Sequence, residues 1–271
     1  MKWKKRTIVS WTILVILAVY ALLPIYLLFL NSFKTRGEIF SNPFEFPKNF
    51  SFSNYIKVWR SIDLIHGLLN SSMLAILSTI FTLFLGGMAA YVLSKRSRGS
   101  SYAMTFLLFC NTLPLFIMLI PLFVWFRHLK LDNLLGVIIV TTGLSLPFSI
   151  MLLRSFLVTI PRELEEAALI DGANRWQIFW KVILPVARSG FITVGLLNFI
   201  GGWNSFTIPL TFLADPNQQT AIIKIYTLSG QYTAPWGKIF AAIVITISPL
   251  IVVFLSLQRY FVKGLIGGAL K

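Results

Sequence analysis

Residues 161–185 read PRELEEAALIDGANRWQIFWKVILP, a charged and soluble-looking stretch set between two long apolar runs. Its spacing predicts a helical hairpin. Pro161 suits an early helical position, where its missing amide costs little, and Glu163, Glu165 and Glu166 fill the first turns, where the helix dipole favours negative charge. Gly172, next to Asp171, can take the left-handed conformation that ends such a helix and turns the chain. In the second arm Trp176, Phe179, Trp180 and Ile183 fall at i, i+3, i+4 and i+7, predicting one apolar stripe with Arg175, Lys181 and Arg188 mostly off it. Small Ala167 and Ala168 let another backbone come close, so the first arm is shaped as a knob for a groove on a partner protein. The alternative for the same residues is an amphipathic hairpin lying on a membrane surface.

Outward from this hairpin the chain is strongly apolar. Of its 271 residues 56% are hydrophobic and 12% charged, and the mean hydropathy is +0.79, a composition that excludes a water-soluble globular domain. Helical spans need about 20 apolar residues each. Six are predicted, at 7–31, 70–93, 103–126, 134–156, 190–213 and 238–257, giving an all-α, polytopic fold with the hairpin between spans four and five. They leave no room for a separate soluble domain, so residues 1–271 read as one transmembrane domain. The apolar run after Met1–Arg6 exceeds a signal-peptide core, which predicts a retained span.

The net charge of +15 orients these spans. With the N-terminus inside, the inner segments hold four basic residues before span one, three at 95–98, five at 154–188 and three in the tail; nine lie outside. Both termini and the hairpin then face the cytoplasm. Basic residues that flank spans suit anionic lipid headgroups of the bilayer and argue against nucleic acid as a partner.

Within the spans, Gly86 and Gly87 permit close helix packing, where apolar burial gives little driving force in lipid. Pro114 and Pro121 are expected to interrupt span three and Pro147 span four, which makes these spans candidates for lining a path, because broken backbone is tolerated where it faces protein or a wet cavity. Asn70 and Ser71 are expected to open span two. Trp203 and Asn204, in span five, can be read as a flat face and an amide hydrogen-bonder suited to sugars, or as an interfacial belt residue and an interhelical hydrogen bond. A loop from 214 to 236, containing Gln231 and Tyr232, would reach a docked receptor or simply be solvated.

Glu166, Ala167, Ala168, Gly172, Val182, Leu184 and Pro185 together resemble the signature of ABC importer permeases: Glu-Ala-Ala, three residues, Gly, nine residues, an aliphatic residue, one more, then Leu-Pro. Val182 stands where the pattern usually has Ile. Asp171 and Ala173 extend the match to the longer form of sugar-type permeases. The tail Leu257–Leu265, Trp203-Asn204 and the Gly-Gln-Tyr-x-x-x-Trp-Gly run at 230–237 are similar to the carbohydrate-type group that contains the smaller maltose permease subunit, although Ile266-Gly267-Gly268-Ala269 departs from the usual ending. The resemblance implies a permease of a binding-protein-dependent importer in the cytoplasmic (inner) membrane. It implies that the hairpin is the coupling helix, with Glu163, Glu166, Ala167, Ala168, Asp171, Gly172, Ala173, Leu184 and Pro185 facing an ATPase. It further implies a homologous second permease, two ATPase subunits that bind ATP and Mg, and an extracytoplasmic solute-binding protein. No cofactor is expected in this chain.

Enzymatic chemistry is not expected. All nine acidic residues lie in connecting segments, whereas ion-coupled carriers usually keep ionisable groups within the membrane. His66 and His128 lack companion ligands for a metal, and Cys110 stands alone. No phosphate-binding GxxxxGK[ST] loop is present, so the chain would not hydrolyse ATP itself. The competing functions are an ABC permease for a polyamine, phosphate or amino acid, and an ATP-independent carrier.

Overall fold

The computed structural model describes residues 2–95, 97–230 and 234–269, with side chains over 9–95, 97–230 and 234–260. It is helical among the described residues. The long helices are α1 (Lys2–Ser32), α4 (Leu64–Ser94), α7 (Leu134–Leu157) and α14 (Trp236–Ala269). Each carries a stretch long and apolar enough to cross a membrane, namely Val9–Ser32, Leu64–Ser94, Leu134–Leu157 and Trp236–Tyr260. Two further stretches meet that standard only as bent pairs. Helices α5 (Arg98–Thr112) and α6 (Leu115–His128) meet at 92°, and Arg175–Val186 meets α11 (Arg188–Trp203) at 83°.

The first bend falls within the expected span at 103–126, where a proline break is expected, and the second lies at Ala187, ahead of the expected span at 190–213. Pro114 makes the first one: α5 closes at Leu113 and Pro114 is the extended N-cap of α6, as expected of a residue that lacks an amide and disfavours helix before it. Pro121 and Pro147 break nothing, lying inside α6 and α7. A proline removes one bond, and in lipid the remaining bonds have no water to exchange with, so the helix continues. Helix α11 stops at Trp203, making it about 24 Å long, and 207–212 forms a separate short helix, α12 (Thr207–Phe212). Span two also starts earlier than expected: left-handed Asp63 (φ 47°) precedes α4.

The chain divides into two compact units. The first comprises Met1–Ile65 and Lys224–Pro249. Here the connection after α1 contains α2 (Arg36–Ser41) and α3 (Ser53–Ser61). Thr35 and Glu38 start α2 with a reciprocal capping box. Lys34 is buried, its ammonium donating to the Asn42 and Pro43 carbonyls at 3.2 and 3.0 Å. Burial pushes its pKa down despite the Glu38 and Glu45 charges nearby. Asn54 donates to the Ser32 and Lys34 carbonyls, both at 2.9 Å, and Lys224 pairs with Asp63 at 3.3 Å.

The second unit comprises His66–Ile223 and Leu250–Lys271, and holds two buried clusters. In one, Leu74 of α4, Phe126 of α6 and Val137 of α7 pack with Phe212 of α12 and with Ile223 of α13 (Ala221–Ser229). In the other, Ala90 and Tyr91 of α4 and Leu153 of α7 pack with Ile178, Phe179, Phe191 and Val194. Gly87 brings α4 against α11 as its size suggests: a Cβ there would stand 2.7 Å from the Phe191 ring. Asn198 Nδ2 donates to Ser149 Oγ at 2.9 Å, an interhelical bond between α11 and α7. The stretch at 214–220 is pinned within this unit, since Asn70 Nδ2 donates to the Asn217 and Gln219 carbonyls and Gln218 Oε1 accepts from the Leu134 amide.

Candidate functional site: a helical hairpin anchored on the second unit

The hairpin forms as its sequence dictates, with differences in register. Its first arm, α8 (Glu163–Ile170), starts two residues after Pro161, which lies outside the helix. Asp171 caps it and Gly172 follows with φ +80°. The Ala173 amide donates back to the Ala168 carbonyl at 3.0 Å and the Gly172 amide to the Leu169 carbonyl at 3.1 Å. These two bonds are the Schellman closure, which satisfies orphan carbonyls and needs a left-handed residue at the Gly172 position. The turn leads into α9 (Arg175–Ile178), where Asn174 and Gln177 exchange backbone and side-chain bonds of 2.9 Å each. This capping box, Asn-x-x-Gln, is legible in the sequence by its spacing alone.

The predicted stripe divides in two. Phe179–Ile183 is a π-helical turn in which the Leu184 amide reaches back to the Phe179 carbonyl, just before Pro185 and the short α10 (Leu184–Val186). An inserted residue of this kind rotates the faces relative to an ideal α-helix. Ile178, Phe179 and Ile183 are buried, whereas Trp176 and Trp180 are exposed and pack edge-on against each other at 5.9 Å. Removing a side chain of this size from water stabilises by about 1.5–3 kcal/mol, so these three root the second arm in the core.

The first arm keeps its functional candidates outside. Glu163, Glu166, Ala167, Asp171 and Gly172 are exposed, Ala168 and Ala173 are half-buried against the core, and Ile170 is 87% exposed at the tip. Leu184 is half-buried and Pro185 exposed at the far end of the second arm. Glu165 is the residue that sequence reasoning passed over. Its Oε1 accepts from Tyr91 Oη at 2.8 Å and from Lys95 Nζ. Burial raises its pKa, but the bonds from Lys95 and Tyr91 and the charges of Lys95 and Arg175 outweigh this and hold it below the ordinary carboxylate value. Behind it an open cleft of about 550 Å³ runs between α8 and the ends of α4 and α7, lined by Ser94, Val158, Arg162 and Leu169 among others.

The other candidates are scattered. Trp203 is buried and stacked on Phe199 at 5.8 Å, so its ring is engaged in packing; Asn204 is exposed as the C-cap of α11. Pro114 is exposed at the α5–α6 bend and Pro147 is half-buried within α7. Gln231 and Tyr232 lie outside the described residues. Among the described residues, no group of three or more His, Cys, Asp or Glu side chains is placed to hold a metal ion.

Residues 82–267 match the family described as binding-protein-dependent transport system inner membrane component. The chain is similar to the diacetylchitobiose uptake system permease protein NgcG of Streptomyces coelicolor, 34% identical over 255 residues that cover 93% of this chain and 84% of that protein. It is also similar to the trehalose transport system permease protein SugB of Mycobacterium tuberculosis, 36% identical over 272 residues and 98% of each chain. A crystal structure of a bacterial ABC transporter involved in the import of the acidic polysaccharide alginate contains a similar chain, with TM-score 0.82, 28% identity, and coverage of 95% of this chain and 97% of that one. The chain therefore belongs to the family of binding-protein-dependent transport system inner membrane components.

Proposed function

We propose that this chain is the permease subunit of an ATP-driven importer that takes up a sugar or oligosaccharide across the cytoplasmic membrane, and that 161–185 is its coupling hairpin. The observation that carries this reading is the hairpin itself. Its buried second arm is rooted in the core, while Glu163, Glu166, Ala167 and Asp171 are exposed on an arm closed by left-handed Gly172. That shape suits a knob seated in a groove of another protein. The sugar class is supported by relatives whose names specify diacetylchitobiose and trehalose.

In this reading residues 1–271 are a single permease domain of six crossings, two of them made by the bent pairs, with both termini and the hairpin in the cytoplasm. The working assembly adds a second, homologous permease, an extracytoplasmic solute-binding protein and two ATPase subunits, which bind ATP and Mg; this chain performs no hydrolysis. ATPase closure displaces the hairpin, and the bend at Ala187 passes that displacement into α11. The bias comes from the ATPases' different affinities for ATP in their two states. Asn204 is the proposed solute contact, and Gln231 and Tyr232 are proposed to face the receptor.

The test is uptake in vesicles of the complete assembly, with the solute identified by mass spectrometry as the ligand that co-purifies with the binding protein. Uptake should be abolished by an inactive ATPase. Uptake that survives this change and collapses with the ion gradient would identify an ATP-independent carrier instead.

A further inference from the structure

The hairpin is joined to the rest of the second unit by two covalent links, and each breaks the run of helix. The segment 158–162 between α7 and α8 is non-helical, and the second arm meets α11 at an 83° bend. Loop and element-terminal positions of this kind absorb backbone rotation. A push on α8 sent through them alone would be partly lost. A third connection bypasses both. Glu165 of α8 accepts bonds from Tyr91 in the last turn of α4 and from Lys95 just beyond it. Between these two donors, the Leu93 carbonyl accepts from Arg154 Nε of α7 at 2.8 Å and from Ser100 Oγ of α5 at 2.6 Å. The Lys95 ammonium lies 4.8 Å over the Tyr91 ring, and that ring packs 5.6 Å from Phe179 in the second arm.

We propose that Glu165, held by Lys95 and Tyr91, is a positioning latch that makes α8 and the end of α4 move as one body, so that displacement of the hairpin reaches α4, α5 and α7 directly as well as α11 through the bend. This rests on the coupling reading above. A partly exposed ion pair adds little to stability, because water and salt screen it; the Lys95 and Glu165 side chains are 36% and 21% exposed. What the arrangement supplies is geometry. One carboxylate oxygen takes two donors from one helix end, and the same helix turn clamps two further helices through a single carbonyl.

The test measures relative motion in the intact complex. Spin labels are placed at Val92 on α4 and Glu163 on α8, both exposed, in a chain carrying Cys110→Ser. Their separation is measured by pulsed electron resonance without nucleotide and with MgATP plus vanadate. The latch requires the same separation in both states. In Glu165→Gln, which keeps the shape and removes the charge, the separation should shift on trapping by up to about 5 Å, one helical turn. The exchanged pair Glu165→Lys with Lys95→Glu should restore the fixed distance. A separation that changes in the otherwise unaltered chain, or that stays fixed in Glu165→Gln, overturns the latch. If Glu165→Gln fails to assemble, Tyr91→Phe removes one donor and keeps the ring; an intermediate shift supports the latch and an unchanged distance overturns it. A chain that purifies without any ATPase overturns the importer reading and the latch with it, whereas a vanadate-trapped complex with a changing distance overturns the latch alone.

Discussion

Gly190, near the start of α11, lies so close to Phe156 of α7 that a Cβ at this position would stand 2.6 Å from the ring Cγ and 2.9 Å from the Phe156 Cβ. These are atoms near the root of the side chain, which cannot swing aside, so relief requires α11 to move away from α7. Gly190→Ala should destabilise by about 1–3 kcal/mol, the usual range for overpacking. Gly86→Ala is the control, because its Cβ would meet Ile150 and Leu146 at ordinary contact distances of 3.6 Å. Thermal unfolding in detergent should separate the two, and an unchanged midpoint for Gly190→Ala would contradict the packing described.

Gly172→Val should uncouple transport without preventing membrane insertion. Gly172 has φ +80° and open space around the position of a Cβ, so the obstacle is backbone strain and not a clash. A side chain in that conformation costs about 1–2 kcal/mol, and a β-branched one is especially disfavoured. Gly172→Asn, which tolerates the conformation better, should be milder. Solute uptake per ATP hydrolysed is the readout, and normal coupling in Gly172→Val would count against the Schellman turn as the device that sets α8.

Of these two glycines, Gly172 could be read in advance and Gly190, whose constraint is the distant Phe156, could not. Gly172 was legible because a helix with acidic first turns followed by Asp-Gly leaves the chain one local way to end. Pro114 was legible as a break for similarly local reasons. Pro147 was not, since whether a proline interrupts a helix depends on the surroundings of the freed carbonyl, which composition does not report. The outward-facing candidates on α8 follow from their charge, but Glu165 required knowing that Tyr91 and Lys95, 74 and 70 positions earlier, arrive beside it. The spacing predicts one apolar stripe shared by Trp176, Phe179, Trp180 and Ile183; the π turn before Pro185 redistributes the faces, and no 3.6-residue period anticipates it.

Acid should release α8 at a carboxylate threshold. The folded-state pKa of Glu165 lies below its ordinary value of 4.5, so the stabilisation is fully present above that value and is lost as pH falls through the lower, folded-state one. Protease cleavage within 161–175 should therefore be equally slow at neutral and mildly acidic pH and should accelerate only below the ordinary value. Glu165→Gln should cleave faster at neutral pH and lose this acid-dependent step. An acceleration centred above 4.5 in the unaltered chain would assign the release to another group.

If ATPase motion enters this chain through α8, the tip of that arm must lie against the ATPase in the assembled complex. The most direct measurement places a cysteine at Ile170, the exposed tip of that arm, in a Cys110→Ser chain, and applies a short thiol cross-linker to the assembled complex in sealed membrane vesicles of known orientation. A covalent product with the ATPase subunit is expected, with labelling by a membrane-impermeant thiol reagent only when the cytoplasmic face is exposed to it. Labelling from the opposite face, or a cross-linked complex that contains no ATPase, would contradict it.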